Sequence, residues 1–273
     1  MSQLQPFTAD QLNKYTTWFA SADPPVASDF GTLWFQAEAH LETAYSNGQS
    51  IVNLPDFSGV AGPATEYQAG HAATWRVADM NGRPAYRFDQ LPSAADPTKA
   101  YNIPSMTAFP GANGVTAVAV LINRPDGLLP ETQSNGLWYM RSSNTGWPRR
   151  IAGRPPAQDI VIGFGRSDNL IVPQSSYLYD LRNVSILVAN CNSTSSDFWL
   201  NNYYLGQVDT GTLGWTASSA RFGIAGSLSS SNKFRGSLGS LLIYSPQLTA
   251  TNRNACVAAY RDYFSIPFNF HNP

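Results

Sequence analysis

The run from Phe234-Arg235-Gly236 to Tyr244, followed at once by Ser245-Pro246-Gln247-Leu248-Thr249 and an amphipathic segment ending near Tyr263, constrains this chain more than any other stretch. A glycine-bracketed β-type run, a proline turn and a threonine N-cap in succession predict a strand delivered directly onto a helix. Cys256, Ala259, Tyr260 and Tyr263 recur at helical spacing, so that helix packs one face on a sheet and Cys256 belongs to the core.

The rest of the chain reads as short β-type runs broken by turn residues. The clearest are Leu33-Trp34-Phe35, Ala85 to Phe88, Val115 to Ile122, Gly136 to Met140, Ile160 to Phe164, Val184 to Ala189, Phe198 to Leu200 and Tyr203 to Leu205. Only 13% of residues are charged, which fits many strands joined by turns better than long solvated helices. Asn201-Asn202 between two of these runs fits a two-residue hairpin, because Asn tolerates the positive φ that a type I′ turn demands. Near the start, Thr8 and Gln11 form a capping box and Phe7 can staple onto Leu12, predicting a helix from Phe7 to Phe19 with Leu12, Tyr15 and Phe19 on one face. Pro24 and Pro25 then impose an extended connector. The expected organisation is a helical arm with its connector over 1–28, one sandwich domain over 29–266 and an aromatic tail over 267–273; 273 residues suffice for a single large core.

Three further segments, Asp56-Phe57-Ser58-Gly59, Leu33-Trp34-Phe35 and Asn81-Gly82-Arg83-Pro84-Ala85-Tyr86-Arg87-Phe88-Asp89, join the C-terminal run in a wider pattern. Together they resemble the concanavalin A-like, or laminin G-like, jelly-roll domains, whose members carry "W-x-D-x-S-G-N", "N-G-[RK]-P-x-[VL]-R-F-D" and "F-x-G-x-[IL]-x-x-[IL]-x-[IL]-Y-x-x-x-L-[ST]". The resemblance implies an all-β, two-sheet antiparallel jelly-roll sandwich with a short N-terminal helix and a C-terminal helix. In the asparagine-glycine segment a tight turn at Gly82 would send Tyr86 and Phe88 to one face and Arg87 and Asp89 to the other. Such domains occur in secreted adhesins, carbohydrate-active enzymes and bacteriophage virions. With Met1 opening the chain and no basic, then apolar leader behind it, the expectation is a non-enzymatic virion protein, a capsid decoration or tail-fibre component assembled in the host cytoplasm. It would be oligomeric or particle-bound and would bind cell-surface polysaccharide or neighbouring virion proteins. A polysaccharide-cleaving jelly-roll enzyme and a secreted adhesin module are the alternatives.

A formal charge of −1 offers nothing to a phosphate backbone or an anionic membrane, and no run approaches the ~18 apolar residues of a membrane span. Nucleic acid and membrane are therefore excluded as expected partners. Cys191 and Cys256 lack metal or redox spacing and read as reduced, buried thiols.

Chemistry finds little support in the motifs. The retaining jelly-roll glucanase run "E-x-D-x-x-E" is missing, and Glu38 and Glu42 flank His40 with no Asp between them. On a strand those three would share a face, which suits acid–base work or, more simply, an exposed polar face. His40, His71 and His271 have no zinc spacing. No cofactor is expected; Asp197, Asn201 and Asp209 around the hairpin are a weak calcium set, without EF-hand spacing. The richest binding stretch is 123–166, where Trp138, Tyr139, Arg141, Trp147, Arg149, Arg150 and Arg154 stand among Gly, Pro and Ser. Aromatic faces stack on sugar C–H surfaces and arginines reach hydroxyls, although Trp138 and Tyr139 also alternate as on a core strand and Trp147-Pro148 could stabilise a long loop. The candidate ligand contacts are thus Arg141, Trp147, Arg149 and Arg150, with Trp199, Asn201 and Tyr204 at the hairpin.

Overall fold

A computed structural model describes residues 32–37, 45–56, 63–88, 99–103, 115–123, 135–141, 148–154, 159–164, 167–172, 183–191, 195–201, 203–209, 219–222, 234–244 and 247–267. The described strands are β1 (Thr32–Gln36), β2 (Asn53–Leu54), β3 (Ala64–Glu66), β4 (Thr74–Met80), β5 (Arg83–Phe88), β6 (Tyr101–Ile103), β7 (Val115–Asn123) and β8 (Asn135–Arg141). They continue with β9 (Pro148–Arg154), β10 (Asp159–Phe164), β11 (Ser167–Val172), β12 (Ser185–Cys191), β13 (Ser195–Leu200), β14 (Tyr203–Asp209), β15 (Ser219–Phe222) and β16 (Gly236–Tyr244). One described helix, α1 (Ala250–Tyr263), closes the series. The predicted helix over 7–19, its connector, Glu38, His40, Glu42 and the tail beyond Pro267 lie outside the described residues.

The strands form two antiparallel sheets, an all-β sandwich. The first runs β14-β13-β12-β7-β16-β5-β4, with β1 also paired to β16; the second runs β11-β10-β9-β8-β15-β6-β3-β2. Strand β16 thus lies between β7 and β5, far from either in sequence. It is buried from Gly236 to Ile243. That is why the run reads as nearly continuous rather than alternating: both faces of this strand are covered.

Register divides the first sheet into two faces. Leu241 pairs with Ala119 and Ile243 with Ala117, while Leu242 pairs with Val118 and Ser240 with Val120. The inner face carries Tyr86 and Phe88; Phe88 meets Tyr101 of β6 edge-on at 6.2 Å between centroids, joining the two sheets, and Phe234 at 5.1 Å. The outer face, with Val118, Val120, Ile186, Val188 and Leu242, packs against Cys256, Val257, Tyr260 and Tyr263 of α1 and against Phe264. Thr249 caps α1 by accepting from the Asn252 N–H at 3.2 Å, as its position before the helical run predicts. Burial drives the Cys256 thiol well above the usual range, consistent with an unreactive core residue.

The asparagine-glycine segment behaves as its pattern predicts. Asn81 (φ 49°) and Gly82 (φ 82°) turn β4 into β5, and Tyr86 and Phe88 are buried. Arg87 on the opposite face pairs with Asp79 at 3.1 Å. One expectation is corrected: Pro148 does not sit in a long loop but opens β9, which pairs with β8 and β10. Proline is tolerated there because the first strand residue can forgo its ladder donor.

Candidate functional site

The β13–β14 hairpin forms one edge of the first sheet, and alternation decides what it displays. On β13, Ser196, Phe198 and Leu200 are buried while Ser195, Asp197 and Trp199 are only half-buried. Trp199 is paired with Val188 on one side and Tyr204 on the other, so it belongs to the outer face that α1 covers. Asp197 pairs with Gln207 on the same face. The turn between the strands places Asn201 at φ 56°, as its sequence predicts.

These pairings bring side chains together. The Trp199 and Tyr204 rings lie 5.4 Å apart, tilted by 51°. The Tyr204 hydroxyl donates to Asp197 Oδ1 at 2.8 Å, and Gln207 Nε2 donates to the same oxygen at 3.2 Å. Arg253, in the first turn of α1, lays its guanidinium carbon 3.9 Å from the Trp199 ring centroid. Its Nε and Nη2 also reach Asn254 Oδ1 at 3.4 and 3.2 Å. Partial burial lowers the Arg253 pKa, against the Asp197 charge, which raises it. Desolvation first, then the hydrogen bond and charge of Asp197, pushes the Tyr204 phenol up to about 12.

The arrangement is a small amphipathic platform. Tyr204 is 44% exposed yet held by a hydrogen bond at its tip and a tryptophan at its side. Around it lie a carboxylate acceptor and an amide at Asp197 and Gln207, with the Arg253 guanidinium on the neighbouring Trp199 ring. Chemically this can stack on an apolar ring face and exchange hydrogen bonds with hydroxyls at its rim. Trp199 braces the platform, with Arg253 on its ring and its partner Val188 in the helix-covered core.

The sequence-derived contacts divide between places. Trp199 and Tyr204 meet. Asn201 stands between them in the turn but is buried; its Oδ1 accepts the Ile186 N–H at 2.8 Å and its own N–H donates back to Ile186 O at 2.6 Å. Its side chain therefore pins the hairpin instead of facing the platform. Arg141 ends β8, opposite Ser219, and Arg149 and Arg150 lie on β9, all in the second sheet. Trp147 falls outside the described residues. Of the calcium set, Asp197 Oδ1 is committed to Tyr204 and Gln207 and Asn201 Oδ1 to Ile186, and among the described residues no three His, Cys, Asp or Glu side chains converge on a metal position. Gln207 and Arg253 were not anticipated. Alternation across a two-residue turn would have placed Gly206 opposite Asp197; a β-bulge between Phe198 and Trp199 brings Gln207 there instead, and nothing local to α1 marks Arg253.

No protein-family model matches the chain. No curated protein sequence matches it either. Solved structures do share the fold. Domain 4 of AbnA, an extracellular GH43 arabinanase from Geobacillus stearothermophilus solved with arabinotriose, aligns over 84% of this chain and 100% of its own, with TM-score 0.56 and 13% identity. Trypanosoma rangeli sialidase, solved with the inhibitor DANA, aligns over 91% of this chain with TM-score 0.55 and 12% identity. The chain spans 38% of that sialidase's length. At these identities the likeness is one of fold.

Two expectations change with these findings. The non-enzymatic expectation is corrected: the structures that share this fold belong to an arabinanase and a sialidase. It rested on a missing carboxylate motif, but that motif defines one glucanase chemistry, and glycoside hydrolysis also proceeds by other routes, including a tyrosine nucleophile. The concanavalin A-like expectation holds at the level of a β-sandwich shared with proteins of carbohydrate metabolism, without a link to virions.

Proposed function

We propose that this chain is a glycan-recognising β-sandwich serving polysaccharide processing, with the Tyr204 platform as its sugar contact. The observation that carries the reading is the pre-set, exposed Tyr204 side chain, tied through its hydroxyl to Asp197, whose carboxylate Gln207 also reaches. A ring already held in place loses little freedom when a sugar stacks on it, so stacking converts efficiently into affinity. The alignment with an arabinanase domain solved with arabinotriose supports this setting over the virion surface expected from sequence, where the same platform would meet host glycans.

Titration of the protein with arabinotriose, linear arabinan and a panel of bacterial surface polysaccharides tests the proposal. Tyr204→Ala should weaken binding about tenfold, corresponding to about 1.4 kcal/mol. The same mixtures assayed for new reducing ends would reveal cleavage by the chain itself. Absence of binding to every glycan, or binding indifferent to Tyr204→Ala, would overturn the assignment of the platform.

A further inference from the structure

Building on the glycan-binding reading, we infer that the tip of the platform offers a ligand side-chain hydrogen-bond acceptors only, so that it takes sugars through their free hydroxyls and loses them once those hydroxyls are capped or replaced. The tip is made by Asp197 of β13 with Tyr204 and Gln207 of β14. Asp197 is the fixed point, because a carboxylate accepts and has no proton to give. Its Oδ1 takes the Tyr204 hydroxyl at 2.8 Å and the Gln207 amide at 3.2 Å.

That one acceptor decides the polarity of the other two groups. The phenol has a single proton, and it is spent on Asp197, which leaves the Tyr204 oxygen with lone pairs alone. Desolvation first, then the hydrogen bond and charge of Asp197, pushes this phenol up to about 12, so the proton stays on its bond throughout the neutral range. Gln207 has to turn its nitrogen, not its oxygen, toward the carboxylate. Its amide nitrogen also reaches Ser195 Oγ at 3.4 Å, and Ser195 has a further contact of its own. What remains of the Gln207 side chain is Oε1, again an acceptor. Among the described residues no protein donor reaches Asp197 Oδ2. Tyr204 is 44% exposed and Gln207 is exposed, so a ligand can come to this tip. Arg253 lies on the neighbouring Trp199 ring, with its hydrogen bonds made to Asn254, and takes no part in the cluster.

Phenol, amide and carboxylate oxygens together leave a ligand one way to bind them, which is to donate. A sugar hydroxyl does so while its ring stacks on Tyr204. An ether, an ester or a fluorine at the same position sets lone pairs against lone pairs and leaves a charged acceptor without its partner. Hydrogen bonds to charged groups are the stronger kind, so the loss is correspondingly large. The tip therefore favours unsubstituted glycans over their O-methylated or O-acetylated forms, by rejecting the capped ligand as much as by holding the free one.

The test uses the full chain with arabinotriose, cellotriose, mannotriose and galactotriose, each beside analogues in which single hydroxyls are replaced by hydrogen or by fluorine. Fluorine keeps the lone pairs and removes the donated proton, so a hydroxyl that only donates is lost equally in both analogues. At the contacting position both should bind about tenfold more weakly than the parent. Asp197→Asn puts amide hydrogens on the tip, and there the fluoro analogue should recover to within about threefold of the parent at an unchanged melting temperature. Tyr204→Phe, which keeps the ring and the carboxylate, should keep the discrimination; if Asp197→Asn melts lower, the wild-type and Tyr204→Phe comparisons decide alone. A fluoro analogue that binds like its parent at every position, or a penalty unmoved by a folded Asp197→Asn, overturns the acceptor-only tip. If parents bind and lose affinity in Tyr204→Ala while fluoro analogues bind equally well, only this inference falls; if no parent binds, the glycan-binding reading falls with it.

Discussion

The Arg253 guanidinium rests on the face of Trp199, 3.9 Å from the ring centroid, and so fastens the first turn of α1 to the edge hairpin of the first sheet. Arg253 and Trp199 are 54 positions apart in sequence, joined here by a contact between a partly desolvated cation and the negative face of an indole. Arg253→Ala should lower stability by about 0.5–1 kcal/mol. Trp199 would also lose its cover, so a change in tryptophan fluorescence at unchanged fold should accompany the loss. Unaltered emission would separate the two residues in solution.

The Tyr204 phenol offers a pH test. Its folded pKa, pushed up to about 12 by desolvation first and then by Asp197, lies above the ordinary value of 10, so the neutral phenol contributes stability that is complete below pH 10 and lost as pH rises toward 12. Ultraviolet titration should show one fewer late-appearing tyrosinate in Tyr204→Phe than in wild type. Asp197→Asn should return that phenol toward 10.

Tyr101 bridges the second sheet to the segment preceding it. Its buried hydroxyl donates to Ile51 O at 2.5 Å and accepts the Ala73 N–H at 2.8 Å, and burial raises its pKa. Tyr101→Phe leaves both backbone groups unpaired inside the protein. The expected cost is about 1–3 kcal/mol, read from denaturant midpoints at constant slope.

Gly236 is required by space. A Cβ there would stand 2.0 Å from the Ile122 carbonyl oxygen, backbone that cannot swing aside. Gly236→Ala should cost about 3 kcal/mol or more through displaced strands. Gly70, at φ +83° with nothing within 4 Å, isolates the conformational cost alone, and Gly70→Ala should lose about 1 kcal/mol. Equal losses at the two positions would refute the steric account.

Asn201 separates acceptor from amide. Its Oδ1 holds the Ile186 N–H while its Nδ2 is buried without a partner. Asn201→Asp keeps the acceptor and a residue tolerant of φ 56°, whereas Asn201→Ala loses both. Thermal melts should therefore rank wild type and Asn201→Asp above Asn201→Ala, the latter lower by about 1–3 kcal/mol.

Elements whose cause lies within a few residues were legible from the chain. The Thr249 cap, the Asn81-Gly82 and Asn201 turns and the core face of α1 all follow from local geometry or period. Short strands escaped: β2, β3 and β6 have three residues or fewer, too few for alternation to register. β9 was hidden behind a proline and three arginines, and its strand state comes from neighbours on both sides.

The chain alone therefore determines the β-sandwich class, its turns and its closing helix, because periodicity and capping are properties of adjacent residues. The platform required the assembled fold. Alternation across a two-residue turn could align Trp199 with Tyr204, but a bulge between Phe198 and Trp199 sets Gln207 opposite Asp197, and Arg253 reaches Trp199 only because α1 buries Cys256, Val257 and Tyr260 on the outer sheet. Likewise Asn81 donates to Phe264 O across 183 positions. Contacts of this kind are selected by the burial of apolar faces over the whole molecule, and no local pattern encodes where such faces meet.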